Sequence, residues 1–168
     1  MLTSTESGSL AIIANRLGVS YNDLYDLIYF ESNFNPQAKN RLSSARGLIQ
    51  FTDETAVSLG YKDSSDLVKK APTIIDQLPI VERYLLQYAP FPTRQSLFMS
   101  VFYPPARNWL PYTSFPQFVI DANPGIVTVY DYMKKASKGG VSTAINAIPF
   151  ILGASIVVYF YMRRKGIL

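Results

Sequence analysis

The chain holds 12 Asp and Glu residues but no cysteine and no histidine. Thiol nucleophiles, Ser-His and Cys-His triads and His-ligated zinc sites are thereby excluded, so catalysis has to run on carboxylates and hydroxyls. No metal site and no cofactor is expected. One carboxylate stands out by position. From Tyr21 the apolar residues Leu24, Leu27 and Ile28 recur at helical spacing, and the next place on that stripe belongs to Glu31. Burial disfavours the charged form of a carboxyl, and the negative end of a helix dipole pushes the same way. Both effects favour a proton kept near neutral pH, which is what a general acid requires.

Around Glu31 lie Ser32, Phe34, Asn35, Pro36 and Ala38. A polar loop follows, then Ala45, Gly47, Leu48, Ile49, Gln50 and Phe51, with Thr55, Ala56, Leu59 and Gly60 behind. In this order the residues resemble the Glu-Ser and Gly-Leu-x-Gln motifs of the soluble SLT family of lytic transglycosylases, whose fold is lysozyme-like. The resemblance implies cleavage of the β-1,4 bond between N-acetylmuramic acid and N-acetylglucosamine in peptidoglycan. Glu31 would serve as acid and then as base, and the sugar's own 6-hydroxyl would give a 1,6-anhydro product. A hydrolytic muramidase using water is the alternative chemistry.

The remaining site residues also come from the resemblance. Ser32 would orient Glu31 or terminate its helix, Gly47 would let the backbone approach the sugar, and Gln50 would hydrogen-bond an acetamido or hydroxyl group. The family has a serine in the loop before the second motif. Here the usual count falls on Asn40, with Ser43 and Ser44 shifted, and Ser44 is taken as the substrate-binding candidate. Tyr103, in the string Tyr103-Pro104-Pro105-Ala106, stands where the family has Tyr-Asn-Ala-Gly and looks like the variant of some phage-associated members. It is either the groove tyrosine or a tyrosine packed beneath a proline-rich loop. Asn123 completes the substrate-binding set.

The elements that must position these residues read as helices. A short helix is expected over 10–17, closed by Gly18, and a second one, capped by Ser20 with Asp23 three residues later, delivers Glu31. Residues 33–51 should fold as a loop over its end. Thr52 caps a further helix with Asp53 and Glu54 in its first turn, which accounts for those carboxylates unless one of them is a second acid. Helical patterns follow at 66–70 and at 74–86, where Pro79 should kink or restart the helix. Six of the 11 prolines fall between Pro90 and Pro116, around a helix at about 94–102. Helices at 115–122, ended by Asn123, Pro124 and Gly125, and at 127–137 close the domain. With strand patterns nearly absent, the class is all-α.

Two units are expected, a lysozyme-like transglycosylase domain over 1–138 and a hinge, single transmembrane helix and basic tail over 139–168. After Gly139 and Gly140 come 22 residues without a charge, 141–162. As a helix they would span about 33 Å, against about 30 Å for a bilayer core. Tyr159 and Tyr161 suit an interfacial belt, and Arg163, Arg164 and Lys165 suit lipid headgroups. Lys134, Lys135 and Lys138 precede the span, so charge does not orient it. Residues 1–140 carry 13 basic and 12 acidic side chains, so basicity is confined to the tail and no nucleic-acid partner is expected.

Residues 1–9 lack lysine and arginine and do not read as a secretory signal. For a resident bacterial protein, such a domain would have to cross the membrane after synthesis. The difficulty disappears if the anchor sits in the internal membrane of a virion. The expected protein is therefore a single-pass component of a membrane-containing bacteriophage, its catalytic domain facing the cell wall during genome entry. Its expected partners are peptidoglycan glycan strands, a lipid bilayer through 141–162, and other virion proteins. The rival from another class is a non-enzymatic membrane-anchored virion protein that keeps the fold for assembly contacts.

Overall fold

The structure, a computed structural model, describes residues 1–138; the charge-free run and the basic tail lie outside the described residues. Among the described residues the chain forms eight α-helices and one 3-10 turn, with three isolated β-bridges and no strand. None of these helices is long and apolar enough to cross a membrane.

Helix α1, Ser4–Leu17, begins six residues before the expected start at 10. The cause is a capping box: Thr3 Oγ1 accepts from Glu6 N–H while the Glu6 carboxylate accepts from Thr3 N–H. This satisfies two orphan donors in a segment that has no apolar stripe to announce a helix. Leu10, Ile13, Ala14 and Leu17 form its buried face, and Gly18, in the left-handed region at φ +67°, ends it as expected. Helix α2, Tyr21–Ser32, buries Leu24, Leu27, Ile28 and Glu31 and is capped by Ser20 at its start.

Helices α3 (Asp53–Ser58) and α4 (Ser64–Lys70) pack together as a short pair. The fifth, α5 (Ile74–Leu86), runs against α1 and is continuous through Pro79, where a kink or a restart was expected. Pro79 is exposed, while Leu78, Ile80, Val81, Tyr84 and Leu85 are buried around it. Packing on that face offsets the hydrogen bond that the proline removes. Helix α6 (Arg94–Phe102) is buried along most of its length and meets both α2 and α5. A 3-10 turn (Pro104–Ala106), α7 (Gln117–Ala122) and α8 (Val129–Lys138) complete the domain, α8 lying against α2.

The loop after α2 is ordered by backbone pairing. Asn33 and Phe34 both take left-handed conformations, at φ 53° and 57°, and turn the chain back. Bridges join Lys39 to Arg46 and Arg46 to Phe51, and Gly47 N–H donates to Ala38 O at 2.9 Å. One buried side chain makes three of the bonds that pin this loop to the helices. Gln77, on α5, donates to Pro36 O (2.7 Å) and Ala71 O (2.8 Å) and accepts from Leu48 N–H (2.9 Å).

Candidate active site

Glu31 sits one residue before the end of α2, and its residue is 8% exposed. Its Oε1 accepts from the Tyr132 hydroxyl at 3.3 Å. Its Oε2 is buried and has no hydrogen-bond partner. Among the described residues no cation stands by to hold the charge, and burial pushes the carboxyl from 4.5 up to about 8, against a smaller lowering by the Tyr132 hydrogen bond. At neutral pH the group therefore carries a proton for which the described residues offer no acceptor on Oε2.

Tyr132 was not among the residues expected at the site. It comes from α8, is fully buried, stacks on Phe102 (4.1 Å between centroids, 22°) and meets Phe30 edge-on (5.6 Å). Burial pushes its phenol well above the ordinary tyrosine range, and the Glu31 carboxylate adds to the effect. The hydroxyl is thus a neutral donor at any working pH. Its one trace in the sequence is the helical spacing of Val129, Tyr132 and Ala136, in which a hydroxyl-bearing ring takes a core place.

Ser32 ties the two motifs together. Its Oγ lies 2.8 Å from Leu48 O and 3.2 Å from Ile28 O, linking the end of α2 to the Gly47–Gln50 turn. That turn places Gln50 at φ +56°, a conformation uncommon for a residue with a side chain. Gln50 Nε2 donates back to Gly47 O at 3.0 Å, so its amide is oriented by its own turn. Nothing among the described residues donates to Gln50 Oε1. At Gly47 the backbone is itself closely approached: at φ +77°, a Cβ there would lie 2.5 Å from Gln77 Oε1 and 3.3 Å from Val68 Cγ1, so the missing side chain makes room for the Gln77 tether.

Ser44 belongs to the framework. Its Oγ accepts from Asp53 N–H (3.1 Å) and its carbonyl from Ser64 Oγ (2.5 Å), tying the loop to the starts of α3 and α4. Asn40 is buried and its Oδ1 accepts from Leu42 N–H, while Ser43 Oγ accepts from Ala45 N–H. Asp53 Oδ1 receives both Ser64 N–H and Ser64 Oγ, and Glu54 is exposed, which leaves neither placed like Glu31.

Tyr103 is 3% exposed and packs among Trp109, Phe115 and Phe118, with centroids 5.7–6.5 Å apart. Of the two expectations for it, the geometry is that of the packed tyrosine. Asn123 caps the end of α7, where its Nδ2 donates to Val119 O at 2.9 Å and its Oδ1 is buried without a partner. Among the described residues no cluster of acidic side chains could hold a metal ion. A concavity of about 120 Å³ at Ser20, Phe91 and Arg94 does not include Glu31 in its lining, and Arg94 there is paired with Asp23 and Asp26 at 2.6 and 2.9 Å.

Residues 10–73 match the family model described as Transglycosylase SLT domain. The matched segment contains Glu31, Ser32, Ser44, Gly47 and Gln50 and stops short of Tyr103, Asn123 and Tyr132. It supports lytic transglycosylase activity on peptidoglycan, and the helical architecture is consistent with a lysozyme-like domain. No curated protein and no solved structure matches the chain.

Proposed function

We propose that residues 1–138 cleave the MurNAc-β-1,4-GlcNAc bond of peptidoglycan as a lytic transglycosylase held at a membrane by residues 141–162. The observation that carries this reading is the buried Glu31 carboxyl, with one oxygen on Tyr132 and the other without a partner. Protonated Glu31 gives its proton from Oε2 to the glycosidic oxygen as the C1–O bond breaks. The leaving sugar departs as an alcohol, and positive charge develops on the muramyl ring.

The carboxylate left behind accepts the proton of the muramyl 6-hydroxyl as that oxygen bonds to C1. This closes the 1,6-anhydro ring and restores the acid, so a single carboxyl completes the cycle. Between the two steps the Tyr132 hydroxyl stabilises the carboxylate, a charge-assisted hydrogen bond of about 1.5–3 kcal/mol. Gln50 Oε1 is the contact offered to the glycan, while Ser32, Gly47 and Ser44 act through the frame that carries it.

The charge-free run and the basic tail support a bilayer anchor, and the membrane of a bacteriophage particle is the proposed place for it. Digesting purified peptidoglycan with the full chain in mild detergent, alongside Glu31→Gln, and weighing the products by mass spectrometry tests the chemistry. Glu31-dependent anhydro ends support it. Reducing ends mean a muramidase, and no Glu31-dependent cleavage means a structural protein. Finding the chain in the lipid fraction of purified particles tests the location.

A further inference from the structure

Helix α8 has two faces with different surroundings. Val129, Tyr132 and Ala136 are buried, and Tyr132 reaches Glu31. Tyr130 lies two positions earlier, about 200° round the helix, and points away from the acid. It is 42% exposed, with its ring 5.3 Å from that of Tyr112 and with Lys134 Nζ 5.8 Å from its centroid. Tyr112 and Leu110 are each 76% exposed, and Val127 is 44% exposed.

These residues form one surface. Tyr130 N–H donates to Pro111 O at 2.7 Å and Phe115 N–H to Val127 O at 2.8 Å, and Ser114 bridges to Thr128. The segment 110–115 is thereby laced to the start of α8. A contiguous patch of exposed Leu, Val and Tyr marks an interaction surface.

We propose that this patch rests on the interfacial region of an anionic lipid bilayer, an inference that depends on residues 141–162 spanning that bilayer. Leu110 and Val127 enter the acyl boundary, Tyr112 and Tyr130 keep their hydroxyls at the headgroups, and Lys134 faces lipid phosphate. Continuity with the tail favours lipid over other partners. Tyr130 is about 12 Å along α8 from Lys138, where the described chain ends, and the charge-free run begins three residues further on. A glycan has no use for two exposed aliphatic side chains. Docking fixes the orientation of the enzyme: with Tyr130 on the membrane, Tyr132 and Glu31 are turned toward the wall.

The chain's single tryptophan, Trp109, adjoins Leu110 and packs against Tyr103 and Phe115, so its emission in the folded chain is read from beside this surface. The full chain is reconstituted into phosphatidylglycerol–phosphatidylcholine vesicles with and without brominated acyl chains, floated on a density gradient, and its emission recorded. The expected result is roughly twofold quenching by bromine, lost in Leu110→Ser/Tyr112→Ser while that variant still floats and keeps its unfolding midpoint. A wild-type chain that floats with Trp109 unquenched overturns the docking and leaves the anchor standing. A chain that does not float overturns both. Loss of sedimentation with insoluble peptidoglycan in the double variant, with wild-type Trp109 unquenched, assigns the patch to glycan and overturns lipid docking. A detergent-stable dimer that the substitutions dissolve assigns it to a second copy, with the same consequence.

Discussion

Glu31→Gln tests the buried acid through folding stability, independently of any substrate. The folded carboxyl titrates near 8 against an ordinary 4.5. A raised carboxyl pKa means that the folded chain binds the proton more tightly than the unfolded chain does. Stability is then fully present below about pH 4.5, falls as pH rises, and levels off above about pH 8. At about 1.36 kcal/mol per pH unit, the loss is about 3 kcal/mol at pH 7 and about 5 kcal/mol at pH 9. Glutamine keeps the shape and an acceptor for Tyr132 but has no charge to bury. The variant should match the wild type at pH 4 and exceed it by those amounts at pH 7 and 9. For a chain of this size, 3 kcal/mol corresponds to about 6–12 °C in Tm. Urea unfolding followed by Trp109 emission from pH 4 to 9 measures the difference. A gap that stays constant with pH, or that favours the wild type as pH rises, would refute the argument by showing the carboxyl ionised in the folded chain.

Three further outcomes follow from the same geometry. Tyr132→Phe removes the hydrogen bond that lowers the Glu31 pKa, so the alkaline limb of the cleavage pH profile should move upward while stability near neutral pH falls by about 0.5–1.5 kcal/mol; a purely structural tyrosine would lower the rate without moving the limb. Gly47→Ala places a Cβ against Gln77 Oε1 at a positive φ and should cost about 2–4 kcal/mol in denaturant unfolding, whereas a variant as stable as the wild type would show that the Gln77 tether is dispensable. Ser32→Ala should cost about 1 kcal/mol and lower cleavage more than that loss alone accounts for, because the turn carrying Gln50 is released; unchanged kcat/KM would count against the link.

Glu31 was legible because a carboxylate interrupted a regular apolar stripe, and its motif partners were legible because they lie close in sequence. What lay across the fold was not. Tyr132 at a core position reads as packing, and only the docked α8 brings its hydroxyl to the acid. Gly47 suggested a close approach by something, and the fold brings Gln77 there from thirty positions away. Ser44 was indistinguishable from other loop serines until Asp53 and Ser64 were placed beside it. The early start of α1 depends on the Thr3–Glu6 box, a local hydrogen-bond exchange that apolar periodicity does not register. Pro79 shows the reverse, a local rule overridden by burial of the helix on either side.

The Glu31–Tyr132 hydrogen bond joins residues 101 positions apart. A nascent chain that has released residues 10–73 has made the entire segment matched by the family model, yet the acid has neither its roof nor its donor. Those arrive only when Val129–Lys138 emerges and docks, because so distant a pairing closes after the local ones. On the proposed reading, cleavage therefore waits for residues 129–138, and a product of interrupted translation ending before Val129 would carry the matched segment without its acid's donor.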